Sequence, residues 1–487
     1  MKKTIKILVF AFLFISKSWG QEIKNIERYE IPHEPTTRVE HVIQNSSGKI
    51  ALFKRAPREN GMLKYEFVLL RSSLSEESTQ DFLIDKRYSI FAKIQEANKF
   101  YILFMKGRSN PDFNVCIYDF KDNSVKLVEG KLPEKFKANV LYKEMDFENY
   151  TNALIAGKHL VIPGELNSTS SIASVDLETG KSKSCDLILN NDKPSATVFK
   201  SIMRIGSSNE FGCLAYSKKL NSSFVFIISE DAEITQTVKI NIEKKFNLLT
   251  GTGTKLSDNK YFFSGTFNTS MFGTESEGIF SIAIKDDKCL NSETHNFFTI
   301  KGFIDNLPEQ LRSYLKTIAN SGSEYYRAEN CVFNSIVSVN ENEIYVIGES
   351  RHPVGDGFFV HHRNVMIFKF DNQGNKIWEK LVPTFFSGTE NKNCVSVNID
   401  ETSVEVFAQC SDEVIHNKYK NDGSKIFENI KKNSSLNLID QDNIEKYSSD
   451  HDNEFWYGDF YISYGKEVKK NSSGKQKVFF INKFELK

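Results

Sequence analysis

Proline is scarce in this 487-residue sequence, at 10, and tryptophan is rarer still, at 3. So little proline, beside 40 phenylalanines and 18 tyrosines, argues against long disordered or linker-like segments. Neither sign of charge is in excess. The 63 Lys and Arg balance 63 Asp and Glu, which excludes a general electrostatic affinity for nucleic acid or for an anionic membrane surface. The seven cysteines include no Cys-x-x-Cys, so zinc-ribbon and thioredoxin readings have no support. There is no G-x-S-x-G elbow, no H-E-x-x-H helix and no P-loop. Asp450 and Asp452 lie close together, but the Gly and final Glu of an EF-hand loop are out of place. Beyond the first residues no run of 18 uncharged apolar residues occurs, so no transmembrane segment is expected in the mature chain.

What is present begins with a leader. Lys2, Lys3 and Lys6 precede the apolar run Ile7–Ile15, and Ser18-Trp19-Gly20 offers small residues at the positions a signal peptidase reads. Residues 1–20 are therefore expected to be a signal peptide and 21–487 a single mature domain, exported to the periplasm, the outer membrane or the medium. Outside the cytoplasm cysteines can pair. Cys289 and Cys331 flank the one long insertion and could staple its base. Cys394 and Cys410 lie about equally far from the turn at Asp400-Glu401-Thr402 and could face each other. The alternative is that all seven are small buried hydrophobes.

The chain repeats. Residues 370–380 read F-D-N-Q-G-N-K-I-W-E-K and residues 419–429 read Y-K-N-D-G-S-K-I-F-E-N, with aromatic, turn, Gly, Lys, Ile, aromatic and Glu in step. Looser copies of the turn stand at 175–181 and 119–126, each between apolar alternations, as in a hairpin. A polar turn followed by an apolar strand recurs near 49, 99, 159, 210, 260, 343, 403 and 454. Four short strands per roughly 50 to 60 residues is the period of a propeller blade. The sequence thus predicts an all-β fold, a β-propeller of eight four-stranded blades, or seven if one weak unit is irregular. The last unit lacks a fourth strand, and 22–31 is a spare one that could close the ring by pairing with it. The long interval between 260 and 343 predicts one helical insertion near 305–320. There Asp305-Asn306 could cap, Pro308 suits a first turn, and Leu311, Leu315 and Ile318 share a face.

The turn D-N-Q-G-N-K-I-W-E-K resembles the repeats of bacterial propellers of the β-propeller-repeat and quinoprotein-like families, and D-L-E-T-G-K at 176–181 resembles the Asp-x-x-Thr-Gly-Lys turn of the latter. The resemblance implies a propeller. Where such repeats carry a Trp after the Gly, only Trp378 matches, so neither a full ring of docked tryptophans nor quinone chemistry is expected, and no cofactor or metal is assigned. The sialidase turn Ser-x-Asp-x-Gly-x-x-Trp is not met.

In a propeller the crossovers between blades and the turns between second and third strands share one face. Long irregular loops there are where a repeat scaffold carries function. The sequence therefore points to a patch built from 305–320, Tyr325, Tyr326 and Arg327, with Glu349, Arg351, His352, His361, His362 and Arg363. Aromatic and Arg side chains anchor contacts of this kind. No acid–base or nucleophile constellation is legible, so the expectation is a non-catalytic binding or scaffold propeller of the cell envelope or secreted space, engaging a protein or glycan partner and no nucleic acid. The alternative is a propeller hydrolase or lyase acting on carbohydrate or peptide.

Overall fold

In the computed structural model the chain forms eight antiparallel sheets, one per repeat, arranged in a ring. The described residues are 23–486, apart from positions 35, 97 and 341, the segments 139–152, 190–196, 243–245, 270–275, 355–358, 389–394, 410–412, 433–443 and 472–473, and most of 304–329. Blade 1 comprises Val39–Gln44, Ile50–Glu59, Met62–Leu70 and Glu76–Ile84. Blade 2 comprises Ser89–Glu96, Lys99–Met105, Asp112–Asp119 and Ser124–Lys131. Blades 3, 4 and 5 open at Phe136–Ala138, Thr197–Arg204 and Asn247–Ser257, and blades 6, 7 and 8 at Asn330–Asn340, Val395–Ile399 and Ile444–Tyr457. The expected count of eight is correct.

First strands lie innermost. Those of blades 4 and 5 touch through a parallel bridge, Ile205 to Gly253, and Gly206 N donates to Gly253 O at 3.1 Å. Blade 3 differs from the rest, because its inner edge is shared by two short strands, Phe136–Ala138 and Leu154–Ala156, both on His159–Leu166. In blade 8 the fourth, outermost strand is Ile23–Pro32, paired with Gly474–Leu486 in a register running from Ile23 opposite Leu486 to Pro32 opposite Val478. The ring is therefore latched by the two ends of the described chain, and no blade is left a strand short.

The phenylalanines are where the blades meet. Between blades 1 and 2, Phe53, Phe67 and Phe82 stack with Tyr65, Phe100, Phe104 and Tyr118, the closest pair being Phe67 and Tyr118 with ring centroids 4.3 Å apart. Buried offset rings contribute about 0.5–1.5 kcal/mol per pair beyond the area they remove from water. The repeated turn is set locally. The Asp371 carboxylate accepts from Gln373 N at 2.8 Å and Asn375 N at 2.9 Å, Asp176 does the same for Glu178 N and Thr179 N, and Gly374, Gly423 and Gly180 occupy the left-handed region. Each such turn lies against the neighbouring blade. A Cβ on Gly180 would come within 2.2 Å of Glu129 O, and one on Gly423 within 3.2 Å of the Trp378 ring.

Trp378 docks on that turn, its indole N–H donating to Asn421 O at 2.8 Å. One docked Trp joins blades 6 and 7, in line with the single match in the sequence. Trp378→Ala should lower stability by about 2 kcal/mol, from one lost hydrogen bond and partly buried ring area, read as a lower urea midpoint at unchanged slope.

Two expectations need correction. No helix stands as a described element where one was predicted over 305–320: most of that segment, including Leu311, Leu315 and Ile318, lies outside the described residues, while Glu309, Arg312, Ser313 and Thr317, which lie inside them, have helical backbone. Cys289 is a free thiol, so the bridge to Cys331 is not formed. The reason is topological. Cys289 lies near the start of the fourth, outer strand of blade 5, and Cys331 near the start of the first, inner strand of blade 6, so they sit on opposite edges of their sheets and at opposite faces of the ring. Cys394 and Cys410 lie outside the described residues, as do residues 1–20, where a signal peptide is expected.

Candidate functional site

Antiparallel order fixes two faces. Crossovers and second-to-third turns emerge on one, and the other two hairpin turns emerge opposite. On the crossover face, at the junction of blades 1 and 2, the ring opens into a cavity of about 470 Å³. Five pieces of chain build its wall. Arg38 and Glu40 come from the mouth of the first strand of blade 1, Arg55 and Arg58 from the end of its second, and Tyr65 from its third. Lys86 and Tyr88 come from the crossover, and Lys93 from the first strand of blade 2.

Local bonding explains why these side chains converge. A bulge between Val39 and His41 turns the strand, while Arg55 N still donates to Arg38 O at 2.9 Å, so Arg38 and Arg55 stay side by side. Arg38 Nε donates to the Glu40 carboxylate at 2.7 Å, and Lys93 Nζ reaches the Glu40 backbone oxygen at 3.1 Å. The crossover is tightened by Asp85, which accepts from Arg87 N at 2.9 Å and pairs with its guanidinium at 2.6 Å; these bonds hold the Asp85 carboxyl below the usual range. Tyr88 N donates to Asp85 O at 3.0 Å, which sets that ring at the cavity edge. The Lys106 ammonium lies 5.0 Å over the centroid of the Tyr88 ring and pairs with Asp112 at 2.6 Å.

The wall thus carries five cationic side chains, Arg38, Arg55, Arg58, Lys86 and Lys93, against one carboxylate, Glu40, and two phenols. Burial pushes the Tyr65 hydroxyl up, and the Arg55 and Arg38 charges pull the other way. Guanidinium forks match carboxylate and phosphate geometry, and tyrosine faces suit sugar rings or peptide planes. The arrangement can hold an anion beside a flat apolar surface. The lining contains no His and no Cys.

Two other groupings are structural. His159 Nδ1 lies 3.3 Å from Glu230, which also accepts from Lys158 N and Asn209, clamping blade 3 to blade 4 on the opposite face. His416, 0% exposed, hydrogen-bonds Glu405 at 2.5 Å with its ring edge-on to Phe427, sealed inside the sheet stack. Among the described residues no group of three or more His, Cys, Asp or Glu is placed to hold a metal.

The residues singled out from sequence fall elsewhere on the crossover face. Arg351 and His352 sit at the end of the second strand of blade 6, Glu343–Val354, and His361, His362 and Arg363 at the start of the third, Phe359–Phe370, with Arg351 opposite His362 and His352 opposite His361. They belong to a long hairpin and not to an irregular loop. Glu349 is fully buried. Tyr325, Tyr326 and Arg327 lie outside the described residues. The basic cavity was missed because its residues come from two repeats and form no motif: Arg38, Arg55, Arg58, Lys86 and Lys93 stand at unlike positions on or beside three strands and in a crossover.

No protein-family model matches the chain, and no curated protein matches it. Solved structures do. The chain is similar to a puromycin-hydrolysing peptidase of Mycobacterium tuberculosis (10% identity, 80% of this chain and 53% of that one, TM-score 0.38). It is similar to a prolyl endopeptidase (8% identity, 91% and 54%, TM-score 0.37). It is also similar to the quinohemoprotein alcohol dehydrogenase ADHIIG of Pseudomonas putida (10% identity, 94% and 76%, TM-score 0.31). The chain spans about half the length of the two peptidases. The repeat families suggested by the turn motifs are not confirmed, and the propeller fold alone stands. The expectation of a non-catalytic scaffold is corrected here. Peptidases stand among the propeller proteins to which the chain is similar, so the fold gives no ground for preferring a scaffold.

Proposed function

We propose that the protein is a propeller enzyme, a hydrolase or lyase acting on carbohydrate or peptide, and that its substrate is anionic and seated in the cavity between blades 1 and 2. The observation that carries this is the charge of the wall: five cations and one carboxylate around a single cavity of about 470 Å³, in a chain whose overall charge is zero. Export, expected from Lys2, Lys3 and Lys6 ahead of the apolar run 7–15, would bring the protein to anionic polymers and peptides outside the cytoplasm.

A charge-assisted hydrogen bond contributes about 1.5–3 kcal/mol, so losing one Arg contact should weaken binding by roughly 10-fold or more. Titration calorimetry with anionic oligosaccharides and acidic peptides should show saturable binding, and neutral counterparts should bind at least about 10-fold more weakly. The Arg55→Ala/Arg58→Ala double variant should lose that preference while unfolding at the parent's urea midpoint. If anionic and neutral ligands bind alike and the double variant changes neither, the cavity is not the site and the reading falls with it.

A further inference from the structure

We propose that this cavity, if it is the substrate site argued above, performs β-elimination on a 4-linked hexuronate, with Tyr88 as the proton carrier. The lining decides between reaction types by what each would require. Glycoside hydrolysis in its usual forms needs two carboxyl groups flanking the bond, and Glu40 is the single carboxylate of the wall, already engaged by Arg38. Acyl transfer needs a nucleophile with a base beside it; Ser89 lines the cavity, but no His or Cys does. Elimination next to a carboxylate needs cations to neutralise that carboxylate as charge moves onto it, and an oxygen or nitrogen base within reach of the adjacent C–H. The wall supplies both: Arg38, Arg55 and Lys93 as cations, and Tyr88 as the oxygen base, with the Lys106 ammonium 5.0 Å over its ring.

The step balances without water, metal or oxidant. The phenolate of Tyr88 takes the proton from C5, the electrons of that C–H bond form the C4=C5 double bond, and the C4–O4 bond breaks with its pair leaving on O4. The proton then passes from Tyr88 to O4, which restores the phenolate and releases two shorter chains, one ending in an unsaturated uronate. A uronate polymer also accounts for the run of cations along the wall, since each sugar brings one carboxylate.

The experiment is incubation of the full mature chain with 4-linked oligouronates, reading new reducing ends and the ultraviolet absorbance of the conjugated double bond together. The expected result is one absorbing product per new reducing end. Tyr88→Phe should lower kcat by about 100-fold or more with KM little changed, since general base catalysis contributes that much. Arg55→Ala should raise KM and also lower kcat, since its charge both seats the carboxylate and takes up the charge that develops on it. New reducing ends without absorbance would mean hydrolysis, which overturns elimination and leaves the enzyme reading standing. Turnover of acidic peptides or other anions, with oligouronates neither bound nor cleaved, would overturn the substrate class. Elimination at the parental rate in Tyr88→Phe would overturn the role of Tyr88. No binding of any anionic probe would overturn both this inference and the reading it rests on.

Discussion

Arg28→Ala should lower the unfolding free energy by roughly 3–5 kcal/mol, the cost of leaving a buried charge without its partner. Arg28 belongs to the strand Ile23–Pro32 that completes blade 8, and its side chain is 3% exposed. Its guanidinium bonds Glu467, 1% exposed, on the second strand of that blade; Glu30 at 2.5 Å on its own strand; and Asn482 Oδ1 at 3.0 Å on the third. The carbon at its centre lies 4.6 Å over the Phe480 ring, and Lys469 closes the group on Glu30 at 2.5 Å. Burial pushes the Glu467 carboxyl up and Arg28 pulls it back down. Without Arg28, Glu467 must take up a proton or remain charged in a dry site. The Arg28→Met/Glu467→Leu pair removes both charges and should recover most of the loss, because apolar replacement of a buried pair is often neutral or better. Removal of residues 23–32 should cost more still, since it also takes away a quarter of a blade's strands and bares an edge. Urea midpoints of the three variants decide the matter. A single substitution as mild as a surface change, within about 0.5 kcal/mol of the parent, would mean the latch is held by strand pairing alone.

The fold was legible because its signals are local. The residues 370–380 and 419–429 each carry an entire hairpin turn, with the Asp that caps the turn, the Gly that bends it and the aromatic that packs behind it. A period read from such turns counts blades whatever lies between them. The spare strand near the N-terminus was legible for the same reason: a blade with three strands needs a fourth, and the alternation IKNIERYEIP could supply it. The cavity was not legible. Arg38 and Arg55 are adjacent only because two strands pair, and Lys93 and Tyr88 reach them only because the next blade leans alongside. No spacing within one strand encodes that meeting. The proposed Cys289–Cys331 bridge failed similarly, since proximity to an insertion in sequence says nothing of inner and outer strands. The cluster from Glu349 to Arg363 looked like a loop because its polar residues interrupt the apolar alternation, whereas the backbone there continues as a paired hairpin and buries Glu349.

Glu96→Gln should stabilise the protein above pH 7 by about 3 kcal/mol and change little near pH 4. Glu96 ends the first strand of blade 2 and pairs with Arg204, which ends the first strand of blade 4, so the contact reaches past blade 3 on the turn face, next to its divided inner strand. Arg204 is itself held by Gly206 O, to which its Nε donates at 2.8 Å. The Glu96 carboxylate is only 17% exposed, and Oε1 has no partner. Burial lifts its pKa from 4.5 to about 7, and the Arg204 charge offsets only part of that. A carboxyl raised in the folded state favours the unfolded chain once it ionises. Stability should therefore be full below pH 4.5, fall by about 1.4 kcal/mol per pH unit between about pH 4.5 and 7, and level off above, a total of about 3 kcal/mol. Gln cannot ionise, so the variant lacks that slope, while every other titrating group is common to both proteins and cancels in the difference. Urea midpoints of parent and variant at pH 4.5, 6 and 8 measure it directly. A variant less stable than the parent at pH 8 would show that the attraction of Arg204 outweighs the burial of Glu96, and that the pair is a working brace between blades 2 and 4.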